Sequence, residues 1–78
     1  MMTTTSRESI AHVPVQSSSV ASVGYLPRAR TLEVRFRNGT VYQYFEVPNA
    51  IFALFLEASS KGTFFNEAVR SRFGHARV

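Results

Sequence analysis

The chain has no cysteine, no tryptophan and no aspartate. Without thiols it can build neither a disulfide framework nor a thiolate metal site, which fits a reducing compartment and leads us to expect a cytoplasmic protein. Its only acidic residues are five glutamates, of which Glu33, Glu46 and Glu57 fall on separate segments with no paired-carboxylate spacing. The only histidines, His12 and His75, stand near opposite ends of the chain, so convergent metal ligands are not expected. Long hydrophobic runs are missing too. The longest, Ala50 to Leu56, falls far short of the ~20 residues that span a bilayer. The opening MMTTTSRESIAHVPV lacks the apolar stretch of a secretory signal, and a soluble product is expected. The serines Ser17 to Ser19 come with no base, no glycine-rich context and no lysine at phosphate-loop spacing, so they read as turn and cap residues. Catalytic residues, a cofactor and a metal are therefore all expected to be absent.

What remains is a short chain rich in aromatic residues. Its 78 residues, 45% of them hydrophobic, support one small domain, and domains near 60 residues bury only about 60% of their unfolded surface. Seven Phe and three Tyr give that lean core large side chains at few positions.

Net charge is +4, and it is clustered. Arg28, Arg30, Arg35 and Arg37 stand against Glu33, while Lys61, Arg70, Arg72 and Arg77 stand against Glu67, so each block nets +3. Clustered positive charge favours phosphate-bearing or acidic partners. Arginine also solubilises small aromatic-rich domains, and a charge of this size is ordinary for that purpose.

The strongest local signal is LEVRFRNGTVYQYFEV, residues 32 to 47. Leu32, Val34 and Phe36 alternate with Glu33, Arg35 and Arg37 up to Asn38-Gly39, after which a second β-rich run begins, and this pattern predicts a hairpin. The turn length decides which way the tyrosines face. A two-residue turn sets Val34 opposite Gln43 and puts Tyr42 and Tyr44 on the outer face beside Arg35, an aromatic platform suited to stacking bases. A three-residue loop, Arg37 to Gly39, sets Val34 opposite Tyr42 and Leu32 opposite Tyr44 and makes both tyrosines core residues. Burying Gln43 without a partner costs about 1–3 kcal/mol, which favours the second arrangement.

The rest of the chain arranges itself around this hairpin. Residues 1–14, aperiodic and rich in Thr and Ser, read as a flexible N-terminal tail. Val20 to Tyr25 reads as a first strand, with Gly24 marking a bulge or a close backbone approach. Pro48 stops the second hairpin strand and opens a helix on which Ile51, Leu54, Phe55 and Ala58 form one apolar face, with Phe52 and Leu56 beside it. Gly62 ends that helix, and Thr63 caps another in which Phe65, Val69 and Phe73 recur. Residues 74–78 read as a frayed C-terminal tail. The expected fold is α+β: a three-stranded antiparallel sheet near 20–25, 32–37 and 40–46, in the order β-β-β-α-α, with helices near 48–60 and 64–73 packed on one face.

The ordered set Val15-x-Ser17-Ser18, Val23-Gly24-Tyr25, Leu32-x-Val34-x-Phe36, Asn38-Gly39, Tyr42-x-Tyr44, Val47-Pro48, Ala58-x-Ser60-x-Gly62 and Phe65-Asn66 resembles the KTSC domain. This small module is named after the C-terminus of some lysyl-tRNA synthetases and also occurs as stand-alone bacterial proteins. The resemblance covers residues 15–73 and makes Tyr42 and Tyr44 the family motif. Leu26 stands where an acidic residue commonly follows the Gly-Tyr pair, and Phe73 where Tyr is common. The family's function is not established, and its synthetase context implies RNA, tRNA-like or single-stranded, as a partner.

The functional expectation is a non-catalytic binding module. RNA would be held by Arg28, Arg30, Arg35 and Arg37, with Arg70 and Arg72. The alternative is a protein-interaction module that uses the apolar flank of Phe52 and Leu56 or an unpaired sheet edge.

Overall fold

The computed structural model describes residues 10–78; the first nine residues of the expected tail lie outside the described residues. The elements in chain order are β1 (His12–Pro14), β2 (Val20–Leu26), β3 (Thr31–Phe36), β4 (Val41–Tyr44), α1 (Asn49–Glu57), α2 (Lys61–Phe64) running on into a π-helical turn (Phe65–Val69), and β5 (His75–Arg77). The strands form one five-stranded sheet in the order β1-β2-β3-β4-β5, antiparallel throughout.

The fold is α+β with two helical segments, as expected, but the sheet has five strands rather than three. The two additional strands come from stretches read as tails: residues 12–14 and 75–77. Each is three residues long and mostly exposed, too short for alternation to show in the sequence. They form because β2 and β4 would otherwise present rows of unpaired N–H and C=O groups at the sheet margins.

The hairpin has the three-residue loop. Leu32 pairs with Tyr44, Glu33 with Gln43, Val34 with Tyr42 and Arg35 with Val41. Phe36 N–H donates to Thr40 O at 2.8 Å and Gly39 N–H to Phe36 O at 2.9 Å, with Gly39 at φ 92°, a conformation that suits glycine. Asn38 Oδ1 accepts from Thr40 N–H at 2.9 Å and braces the loop.

One face of this sheet carries the core. Val20, Val23, Leu32, Val34 and Tyr44 are buried together with Val47, Phe55, Phe65 and Val69, so sheet and helices share one cluster. Gly24 marks a close approach, because a Cβ there would lie 2.4 Å from Ala11 O. The irregularity in β2 falls between Val20 and Ser22 instead.

The helices depart from expectation in two details. On α1 the core-facing stripe is Ile51, Phe52, Phe55 and Leu56, whereas Leu54 is 53% exposed. Phe52 is drawn inward by stacking on Tyr25, with ring centroids 5.3 Å apart, and the helix is rotated accordingly. The second helix starts at Lys61, capped by Ser60 Oγ, which accepts from Thr63 N–H at 3.2 Å; Thr63 is not the cap. Gly62 therefore lies inside the helix, where a Cβ would come 2.9 Å from Ser19 Oγ.

Candidate nucleic-acid interface

The six arginines expected to act together are dispersed by the fold. Arg28 and Arg30 are exposed in the loop between β2 and β3, and Arg37 lies in the loop at the other end of β3. Six strand residues at about 3.4 Å each separate those loops by roughly 20 Å. Arg35, exposed, sits in the row Ser22–Arg35–Val41, which alternation places on the face opposite the core. The guanidinium of Arg37 is partly engaged, its Nε donating to Ser17 O at 2.7 Å. Arg72 Nε donates to Glu67 O at 3.1 Å. Of the six, Arg70 alone lines the cleft between the sheet and the second helix.

That cleft, about 830 Å³ in volume, opens between the core face of β3, β4 and β5 and the second helix. Its lining includes Phe36, Tyr42, Tyr44, Phe65 and His75, with Asn66, Arg70 and Ser71 on the helical side. The hairpin register is what brings the tyrosines here. Tyr44 and Phe65 are nearly closed off, at 3% and 7% exposure, and meet edge-on with centroids 5.5 Å apart. Tyr42 is half-buried. Its neighbours on the adjoining strands, Phe36 and His75, stand at 76° and 68° to its ring.

The helical side owes its geometry to the π-helical turn. Arg70 N–H reaches five residues back to Phe65 O at 2.9 Å, and this wider turn lets Phe65 enter the aromatic cluster while Arg70 stays exposed on the rim. Such turns are frequent at functional sites. Arg70 Nη1 also lies 3.5 Å from Asn66 Oδ1. Burial pushes the Tyr44 hydroxyl above its ordinary pKa, the neighbouring Tyr42 adds to that, and Arg70 opposes it.

Both histidines do more than the tail assignment implied. His75 belongs to β5 and lines the cleft. His12 belongs to β1, with Nδ1 2.7 Å from Ser22 Oγ and Nε2 3.5 Å from Glu33 Oε1, and it ties the edge strand to the sheet. Ser17 has the turn role expected of it, its Oγ accepting from Ser19 N–H at 3.2 Å and Val20 N–H at 3.1 Å. No group of three or more potential ligands among the described residues is placed to hold a metal.

Residues 16–73 match the KTSC domain family. The chain belongs to that family. This KTSC domain is similar to a KTSC domain protein of Yersinia pestis known from a crystal structure, with TM-score 0.86 and 37% identity over 90% of this chain and 99% of that one. It is 43% identical over 60 residues to a protein of Tsukamurella paurometabola, covering 77% of this chain and 90% of that protein. It is also 33% identical over 58 residues to a lysine–tRNA ligase of Nostoc punctiforme, covering 74% of this chain and only 10% of the ligase. Several of the residues on which the sequence resemblance rests gather at the cleft: Phe36, Tyr42, Tyr44, Gly62, Phe65 and Asn66 all border it. Others build the frame, Ser17 bracing the turn before β2 and Ser60 capping the second helix.

No signal in the sequence distinguished Arg70 from the other arginines. The π-helical turn sets its position, and a plain 3.6-residue period does not anticipate such a turn.

Proposed function

We propose that this KTSC domain is a small non-catalytic binding module for single-stranded RNA, and that its contact surface is the aromatic cleft. The observation that carries this reading is the placement of Arg70 on the rim of a cleft in which the Tyr42 ring is still partly open. Unpaired bases stack on aromatic rings while guanidinium groups meet phosphate, and base stacking is worth about 1–3 kcal/mol per base. The similarity to part of a lysine–tRNA ligase supports RNA as the class of ligand. Arg28, Arg30 and Arg35 add long-range attraction rather than a shared contact, because they face other ends and sides of the sheet.

The protein-interaction alternative has less behind it. The flank it relied on is used internally: Phe52 stacks on Tyr25, and Leu56 is half-buried against the core. The exposed apolar side chains Val13, Phe45, Leu54 and Val78 come from four separate segments.

NMR shift mapping of the labelled protein against short single-stranded RNA at low salt tests the reading. Shifts are expected at Phe36, Tyr42, Asn66, Arg70 and His75. Shifts confined to Leu54 and its neighbours, or none at all, would remove it.

A further inference from the structure

We infer that the cleft takes one unpaired nucleotide of an RNA strand at a time, its base on the Tyr42 ring and its phosphate at Arg70. This deepens the RNA reading above and rests on it. Among the rings that line the cleft, Tyr44 and Phe65 are closed off at 3% and 7% exposure. The rings left open are Phe36, Tyr42 and His75; Tyr42 stands between the other two, which lie at 76° and 68° to it. Steep rings on both neighbouring strands leave room for one flat partner and discourage a continuous stack of bases along the sheet. The volume, about 830 Å³, lies in the ~300–1,000 Å³ range of sites that enclose one small molecule.

The charges lead to the same unit. Arg70 is the one guanidinium that lines the cleft; Arg28 and Arg30 lie in the loop at the opposite end of β3 from the hairpin tip, and Arg35 is on the other face of the sheet. Arg77, across from Tyr42 in the β4–β5 ladder, is outside the lining, so a strand held within the cleft itself meets one close phosphate contact rather than a track of them. Asn66 and Ser71, beside Arg70, offer short polar groups to the sugar or the base edge.

The test titrates the full chain with a nucleoside monophosphate and with single-stranded RNAs of about four and about eight nucleotides, over a series of salt concentrations. One phosphate contact predicts a slope of log affinity against log salt of about −0.7 for both RNA strands, whatever their length. From about four to about eight nucleotides, affinity should rise only about twofold, in proportion to the nucleotides on offer. Arg70→Ala should flatten the slope, leaving only the weak salt dependence of long-range attraction, and Tyr42→Leu, which keeps bulk without a π face, should weaken binding about tenfold. A slope of about −2 to −3 on the longer strand, or a gain of more than about tenfold with length, overturns the one-nucleotide site and leaves RNA binding standing. Absence of cleft shifts with any RNA overturns both. Should Tyr42→Leu fail to fold, the exposed Arg70 variant and the length series decide the question without it.

Discussion

Val34 lies directly across from Tyr42 in the β3–β4 ladder, and this one pairing decides what Tyr42 and Tyr44 can do. Because side chains alternate, it turns Tyr42 and Tyr44 toward the helices and leaves Gln43 across from Glu33 on the other face. The same pairing leaves the two tyrosines unequal. Tyr44 is closed into the core at 3% exposure, while Tyr42, next to the short edge strand, stays half-open.

That inequality predicts unequal costs of truncation. Tyr44→Ala should destabilise the domain by about 3–5 kcal/mol, the range for a large buried aromatic. Tyr42→Ala removes a half-buried ring and should cost about 1–3 kcal/mol. Urea denaturation of both variants checks this, and equal midpoints would mean that the tyrosines are equally buried.

The burial of Tyr44 also sets a pH dependence. Its folded-state pKa is raised above the ordinary 10.0, first by burial, so the fold favours the protonated phenol. The stability from this group is fully present below about pH 10 and is lost as pH rises through the higher folded value. Tyr44→Phe should therefore show a shallower fall in urea midpoint between about pH 9 and pH 11 than the parent chain. An identical fall in the two proteins would contradict the assignment.

Gly24 is predicted to tolerate no side chain. A Cβ there would stand 2.4 Å from Ala11 O and 2.8 Å from Ile10 Cγ2, and the first of these is backbone, which cannot turn aside. Gly24→Ala should cost about 1–3 kcal/mol and loosen β1, seen as faster amide exchange at Val13. Unchanged exchange there would mean that the segment before β1 can shift at little cost.

How much of this was legible depended on local contrast. The hairpin announced itself through alternation and Asn38-Gly39, and the cost of burying Gln43 selected the register that places the tyrosines at the cleft. The edge strands were illegible because three residues carry no period, and His12–Pro14 even contains a proline. Ser60 and Thr63 are both capping residues three positions apart, so composition could not choose between them. Among the arginines, nearness in sequence did not mean nearness in space. Arg28, Arg30, Arg35 and Arg37 fall within ten residues, yet a strand lies among them, and a strand sends its ends apart and alternates its faces. Arg70, distant in sequence, reaches the tyrosines through a turn that no period revealed.

The central claim is that RNA is held at the cleft and not by the arginines clustered in the sequence. Its most direct test is the affinity for one single-stranded RNA, at low salt, of the parent chain, the Arg70→Ala variant and a variant with Arg28→Ala and Arg30→Ala together. Losing one charged contact of about 1.5 kcal/mol lowers affinity about tenfold. That loss is expected for Arg70→Ala, and a change of no more than about twofold for the double variant, whose sites contribute only screened long-range attraction. A tenfold loss in the double variant with Arg70→Ala unchanged would contradict it.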